Sequence, residues 1–319
     1  MIGFLIALGV ALVLDLLLGD PHSSFHPVAL FGRAAGGVET LCRKTFGNGI
    51  LSGLTGWLLL VLPISAAAWA VTRFAGEFAP AVAAVLLYVT IAPRSLLEHA
   101  EAIRKPLSRN DLAAARRALS MIVSRDTATL PPSEIVRGAI ESLGENLIDA
   151  VNSALFFFAV GFLAGGLPGA AAAAVLLRCA NTLDACWGYR NERYLFFGRV
   201  AARVDDLFHL IPARLTLLAV AIAAPLVGGR ISRTLRTGFR HRHDHPSPNS
   251  AWGMGAFAGA LGIRLGGPTV YGGIPEPYPF WGDGRAELTT GDLLRAERLT
   301  AASTLVFCIL LIIGVSLCK

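Results

Sequence analysis

Long apolar runs dominate this chain, and they leave it few ways to fold. Ile2–Leu18, Leu51–Thr72, Pro80–Ala92, Leu147–Gly165, Pro168–Trp187, Leu207–Val227 and Ala301–Leu317 are apolar at most positions. A membrane-spanning helix needs about 20 such residues, and most of these runs meet that length. Charged residues make up 16% of the chain, against about 25% in a soluble domain. The expected fold class is therefore all-α, a polytopic membrane protein with about five to seven membrane segments. Residues 1–319 form one integral membrane domain in this reading. Residues 94–146 are a cytoplasmic helical insertion, and 229–300 a Gly/Pro-rich, water-facing region.

Arginine placement suggests sidedness. Arg94, Arg104, Arg109, Arg116, Arg117, Arg125 and Arg137 form one basic stretch, and Arg230, Arg233, Arg236, Arg240 and Arg242 another. Such clusters beside apolar runs mark the cytoplasmic side. The topology stays open between two solutions: either Leu207–Val227 makes no net crossing, or Pro168–Trp187 does not span. The aromatic–basic interleaving of an RNA-binding sheet is absent, so no nucleic-acid partner is expected. Cys42, Cys179, Cys186, Cys308 and Cys318 form no C-x-x-C pair, which favours neither zinc nor a disulfide framework. Ile2–Leu18 lacks a basic leader and a small-residue cleavage site, so it is read as a retained helix.

The segment "PPSEIVRGAIESLGENLIDAVNSALFFF" carries the most chemistry. Pro131, Pro132 and Ser133 mark a helix start. Glu134, Arg137, Glu141, Glu145, Asp149 and Asn152 follow at spacings of three or four, which places them on one helical face. A carboxylate stripe entering an apolar run needs a polar cavity. Clustered carboxylates without Cys or His suit Mg²⁺ shared with substrate phosphates. The alternative for the upper half is a solvated face with Glu–Arg pairs.

Other polar groups gather in "NTLDACWGYRNERYLFFGRVAARVDD", where Arg forks and aromatic rings suit phosphates and planar ligands. A juxtamembrane collar is the competing reading. In "LLGDPHSSFHPVALFGR", Asp20, His22 and His26 stand on rigid turns near Asp15, as a polar site or as helix caps. In "RHRHDHPSPNSAWG", the loop through Ser247 ends at a helix capped by Asn249 or Ser250, and a phosphate would suit that helix start. The alternating His241, His243 and His245 could suggest a metal tract, ranked below the phosphate loop. No Walker, kinase or nucleophile-elbow motif is present.

The stretches "DLLLGDPHSSFHPV", "SRDTATL", "ESLGENLIDAVNSALFF", "NTLDACWGYRNERYLFFGRVAARVDDL", "IPARLT" and "HDHPSPNSAWGMGAFAGALGIRLGGP" occur in this order. Together they resemble the CbiB/CobD family over about Asp15 to Pro268, whereas Tyr271–Arg285 matches no motif of it. The resemblance implies an adenosylcobinamide-phosphate synthase of the inner membrane, with its site facing the cytoplasm. Such an enzyme joins a carboxylate of adenosylcobyric acid to the amine of aminopropanol phosphate, using ATP with Mg²⁺. The corrinoid is a substrate, the bilayer a partner, and other cobalamin-assembly membrane enzymes are possible partners. Glu141, Glu145, Asp149 and Asp184 are then the expected catalytic residues, with the first three as metal ligands. Asp20, His26, Arg125, Asn146, Asn152, Asn181, Tyr189, Arg190, Asn191, Arg193, Tyr194, Arg199, Asp205, Asp206, His245, Ser247, Asn249 and Ser250 are expected to bind substrates. Two rivals remain: an AmpE-like sensor or scaffold without chemistry, and a transporter, for which the repeated halves are missing.

Overall fold

The computed structural model describes residues 1–20 and 26–318. His22 lies outside the described residues. The chain runs α1 (Ile2–Leu18), α2 (Pro27–Phe46), α3 (Ile50–Phe74), α4 (Ala79–Tyr88), α5 (Pro93–Ser108), α6 (Leu112–Ser120) and α7 (Pro132–Asn146). A π-helical turn, Leu147–Asn152, leads into α8 (Ser153–Trp187), α9 (Arg199–Ala223), α10 (Ile231–His241) and α11 (Ser250–Leu261). Short strands β1 (Leu265–Gly266), β2 (Thr269–Tyr271), β3 (Ile274–Glu276) and β4 (Phe280–Trp281) precede α12 (Thr290–Leu317). The strands pair antiparallel, β1 with β4 and β2 with β3.

Among the described residues, five helical stretches are long and apolar enough to cross a membrane: Ile50–Phe74, Gly76–Ser108, Pro132–Trp187, Arg199–Val227 and Thr290–Leu317. Ile2–Leu18 is a shorter apolar helix. The protein is thus an all-α polytopic chain, as its apolar runs require. Leu54, Leu59 and Leu62 on α3, and Leu305, Ile309 and Ile313 on α12, are exposed, as lipid-facing residues are.

The apolar runs Leu147–Gly165 and Pro168–Trp187 both lie within the stretch ending in α8, but α8 is not straight. Gly165 and Gly166 leave helical geometry, Gly166 with φ of 64°. A Cβ on Gly161 would stand 2.3 Å from the Gly169 carbonyl oxygen, so the backbone doubles back with its arms in contact. Only glycines permit that approach.

The chain divides into two compact units. One holds Met1–Ala92, Asp149–His209 and Leu311–Lys319, the other Pro93–Ile148 and Leu210–Leu310. The core of the first centres on Trp57, Val61, Leu183, Trp187 and Phe197, with Trp187 and Phe197 edge to face at 4.9 Å. In the second, every residue of α11 is buried. There α11 crosses α7 at two glycines: a Cβ on Gly253 would meet the Gly144 carbonyl oxygen at 2.0 Å. That crossing brings the start of α11 to Glu145.

Candidate functional site

In the second unit, α7 carries the stripe read from the sequence, but its carboxylates differ in circumstance. Glu141 is buried and saturated: it pairs with the Arg125 guanidinium, lies 3.9 Å from Arg137 and accepts the Gly266 N–H at 2.7 Å. Arg137 pairs with Glu134 and donates to the carbonyls of Gly266 and Pro268. Glu141 and Arg137 therefore fasten α7 to the strand β1 region. Glu145, one turn on, is only half-buried and accepts a hydrogen bond from the Ser250 hydroxyl at 2.9 Å. Asn146 turns back on its own helix, donating to the Ser142 carbonyl at 2.9 Å.

The loop before α11 faces Glu145. Ser247 N–H donates to His245 Nδ1 at 3.0 Å, which fixes the imidazole proton on Nε2. Burial holds the His245 pKa below its ordinary value, against the opposing pull of Glu145. Below about pH 6.5 the unfolded chain takes a proton that folded His245 resists, so stability falls as pH drops through that window. Replacing His245 with Gln should flatten this acid-side slope in thermal unfolding at a series of pH values. An unchanged slope would assign it elsewhere.

Asn249 Oδ1 accepts from Arg214 Nη1 at 3.0 Å, so its side chain serves Arg214 rather than capping α11. The His245 ring lies 5.9 Å from Tyr278 and nearly parallel to it, with Tyr271 6.2 Å from Tyr278. Both tyrosines lie in Tyr271–Arg285, which matches none of the motifs that carry the resemblance. Its β2–β3 turn is clasped by Asp126, whose carboxylate accepts the N–H groups of Gly272 and Gly273 at 3.2 and 2.7 Å. Arg125, beside Asp126, has two buried nitrogens, Nε and Nη1, without a hydrogen-bond partner. Each such orphan costs about 1–3 kcal/mol.

In the first unit, polar groups on membrane-spanning helices form one continuous network. Arg178 on α8 donates to the carbonyls of Thr90 and Ala150 and, at 3.1 Å, to Asn181 Oδ1. Asn181 donates to Asp205 Oδ1 at 3.3 Å. Fully buried His209 places Nδ1 2.8 Å from the Asp205 carbonyl oxygen, and its Nε2 faces Asp149 Oδ1 at 3.6 Å. The Ala150 carbonyl lies in the π turn, where the ordinary helical partner is displaced. Arg178 and the Ala92 N–H, at 3.1 Å, take it up. Asp184 and Asp206 are half-buried and Asn152 is buried.

The π turn follows directly on α7. It spans Leu147–Asn152, so the register there is wider than the turn of about 3.6 residues assumed for the stripe. Glu141 and Glu145 fall in the second unit, while Asp149 faces His209 in the first. Among the described residues, no group of three or more His, Cys, Asp or Glu is placed to hold a metal ion.

Two further expectations meet structural uses. Asp20 pairs with His26 Nε2 at 3.0 Å, while His26 Nδ1 accepts the Val28 N–H at 3.3 Å and caps α2. Arg193 and Tyr194 converge on buried Glu39, at 2.9 and 3.1 Å, and Arg43 joins them at 2.8 Å. Burial pushes the Glu39 carboxyl up, but these three hydrogen bonds outweigh it and hold it below its usual range. Replacement of Arg193 by Met should lower the thermal midpoint and leave KM for a phosphorylated amine unchanged. A raised KM at full stability would return Arg193 to a substrate. Tyr189, Arg190, Asn191 and Arg199 are exposed.

The sequence reading assigned no role to His209, Arg178, Glu39 or Asp126. The Asp205–His209 spacing of four was the available signal for His209. Arg178 was conspicuous as a charge in an apolar run.

A family model described as CobD/Cbib protein matches residues 8–300. The chain belongs to this family. It is 39% identical to the "Cobalamin biosynthesis protein CbiB" of Salmonella paratyphi B over 93% of each chain. It is 40% identical to the "Cobalamin biosynthesis protein CobD" of Pelobacter propionicus, over 95% of this chain and 93% of that one. A protein of Klebsiella pneumoniae with the same name as the latter is 38% identical over 92% of both. No solved structure matches the chain significantly. As a CobD/CbiB member, the chain matches these relatives over nearly their full length, and the stretch matched by the family model includes Tyr271–Arg285.

Proposed function

We propose that this chain is a biosynthetic enzyme of cobalamin assembly, an adenosylcobinamide-phosphate synthase that forms an amide with ATP. The relatives' names support the pathway, and Glu145 carries the chemistry: a half-buried carboxylate beside Ser250, His245 and the start of α11. In this reading the corrinoid carboxylate attacks the γ-phosphorus of ATP, giving an acyl phosphate and ADP. The amine of aminopropanol phosphate then attacks the acyl carbon, phosphate leaves, and the surplus amine proton passes to a Glu145 oxygen.

Ser250 orients the Glu145 carboxylate. Arg125, whose Nη2 is already held by Glu141, contributes positive charge, and the start of α11 is the place assigned to a phosphate. Mg²⁺ arrives with ATP and takes most of its ligands from phosphate and water, requiring only one or two carboxylates. The chemistry is placed on the cytoplasmic side of the inner membrane, where ATP is. Hydroxylamine in place of the amine should trap a hydroxamate of the corrinoid, dependent on ATP. ATP cleavage with no hydroxamate would reject the acyl phosphate route.

A further inference from the structure

A cavity of about 570 Å³ opens in the first unit, walled by Leu30 and Phe31 of α2, Ile64 of α3, Val85 of α4, and Val175 and Arg178 of α8. That volume is within the range of ligand-binding pockets, yet this wall suits no polar ligand. Thr90 and Thr182 also line it, but each hydroxyl already donates to a carbonyl of its own helix or turn, at 2.7 and 2.8 Å. Water in such a space would lack the partners it needs.

The mouth identifies what fills it. Leu30, Ile64 and Val85 are 45%, 39% and 51% exposed, and Ile64 and Val85 sit on stretches long and apolar enough to span the membrane. A mouth whose exposed aliphatic groups include Ile64 and Val85 of spanning stretches opens onto hydrocarbon rather than water. We propose that an acyl chain of a bilayer phospholipid occupies this cavity as a structural ligand.

Arg178 gives the occupant a consequence. It lines the cavity, and the same guanidinium holds the Ala150 carbonyl of the π turn and, through Asn181, reaches Asp205 and His209. A hydrocarbon chain keeps water from competing for those hydrogen bonds, which are stronger in a dry site. Lipid occupancy therefore stabilises the polar network through Arg178, the member that lines the cavity. The inference is independent of the proposed reaction, because its readouts are lipid retention and stability.

The test uses full-length protein purified in a maltoside detergent and washed extensively, with co-purifying phospholipid measured by mass spectrometry. Wild type should retain phospholipid. Forced delipidation should lower its thermal midpoint by several degrees, and added phosphatidylethanolamine should restore it. Ala34→Phe, from α2, and Val175→Phe, from α8, fill the space from opposite walls. Both should retain little phospholipid and lose the response to phosphatidylethanolamine. A phosphatidylethanolamine with a photoreactive group on its acyl chain should label wild-type peptides containing Phe31, Ile64 or Val175, which does not depend on either variant folding. Labelling confined to other peptides would overturn the proposal. So would filled variants that keep lipid and lipid response at the wild-type level.

Discussion

Glu145→Gln is expected to reduce turnover by about a hundred- to ten-thousand-fold, the usual worth of a positioned general base, while the protein remains folded in membranes. Gln keeps the size of the side chain and can still accept from Ser250, whose hydroxyl lies 2.9 Å away. What it loses is the ability to take the amine proton. KM for ATP should change little, because nucleotide binding does not require that proton transfer. Ser250→Ala removes only the group that orients Glu145, so its effect should be smaller and should disappear in the Glu145→Gln background. Turnover measured for both single variants and the double variant decides this. Near-normal rates in Glu145→Gln would remove the residue from the chemistry.

Glu141→Gln, one helical turn earlier, should behave in the opposite way. Its carboxylate answers Arg125, Arg137 and the Gly266 N–H inside the second unit, with a side chain only 5% exposed. Breaking a buried ion pair by neutralising one partner typically costs about 3–5 kcal/mol, because the other charge is left unpaired. Here Arg125 loses its counter-charge, while Arg137 keeps Glu134. The expected result is a large fall in thermal midpoint and in folded yield, with residual folded protein retaining its KM values. Glu141→Asp should recover part of the stability. Full stability with lost turnover in Glu141→Gln would make this carboxylate catalytic instead. The pair of variants thus separates two residues that the sequence places on one face with the same charge.

That separation shows where sequence reading ends. The spacing of three and four in α7 correctly implied one polar face, since periodicity reports which residues point together. It could not report partners. Glu141 meets Arg125 and Gly266, residues 16 and 125 positions away along the chain, and only the fold decides that Glu141 is consumed while Glu145 remains half-buried. The π turn at Leu147–Asn152 was also invisible, because it is recognised by hydrogen bonding rather than composition.

The hairpin of α8 was more legible. Two apolar runs, separated at Gly166-Leu167, read as two segments, and the positive φ at Gly166 explains why a break there permits reversal. Once the arms meet, Arg178 and Asn181 fall opposite the π turn, and their presence in an apolar run ceases to be costly. His209 remained hidden because a lone imidazole on an apolar helix reads as core. Its four-residue spacing from Asp205 becomes informative only with Asp149 placed. Arg193 and Tyr194 failed differently: their density suggested a ligand, but Glu39, more than 150 residues earlier, supplies the partner. Tyr271–Arg285 read as ordered loop, yet the Asp126 clasp makes part of it a hairpin.

The most direct test of the whole account is product formation by the purified protein in lipid nanodiscs. Adenosylcobyric acid, aminopropanol phosphate, ATP and Mg²⁺ are supplied, and the corrinoid is followed by mass spectrometry. The account predicts that the corrinoid gains the mass of the amino-alcohol phosphate less one water, with ADP formed in equal amount and no product when ATP or the amine is omitted. Folded, lipid-reconstituted protein that leaves the corrinoid unchanged, with its ATP intact, would contradict it.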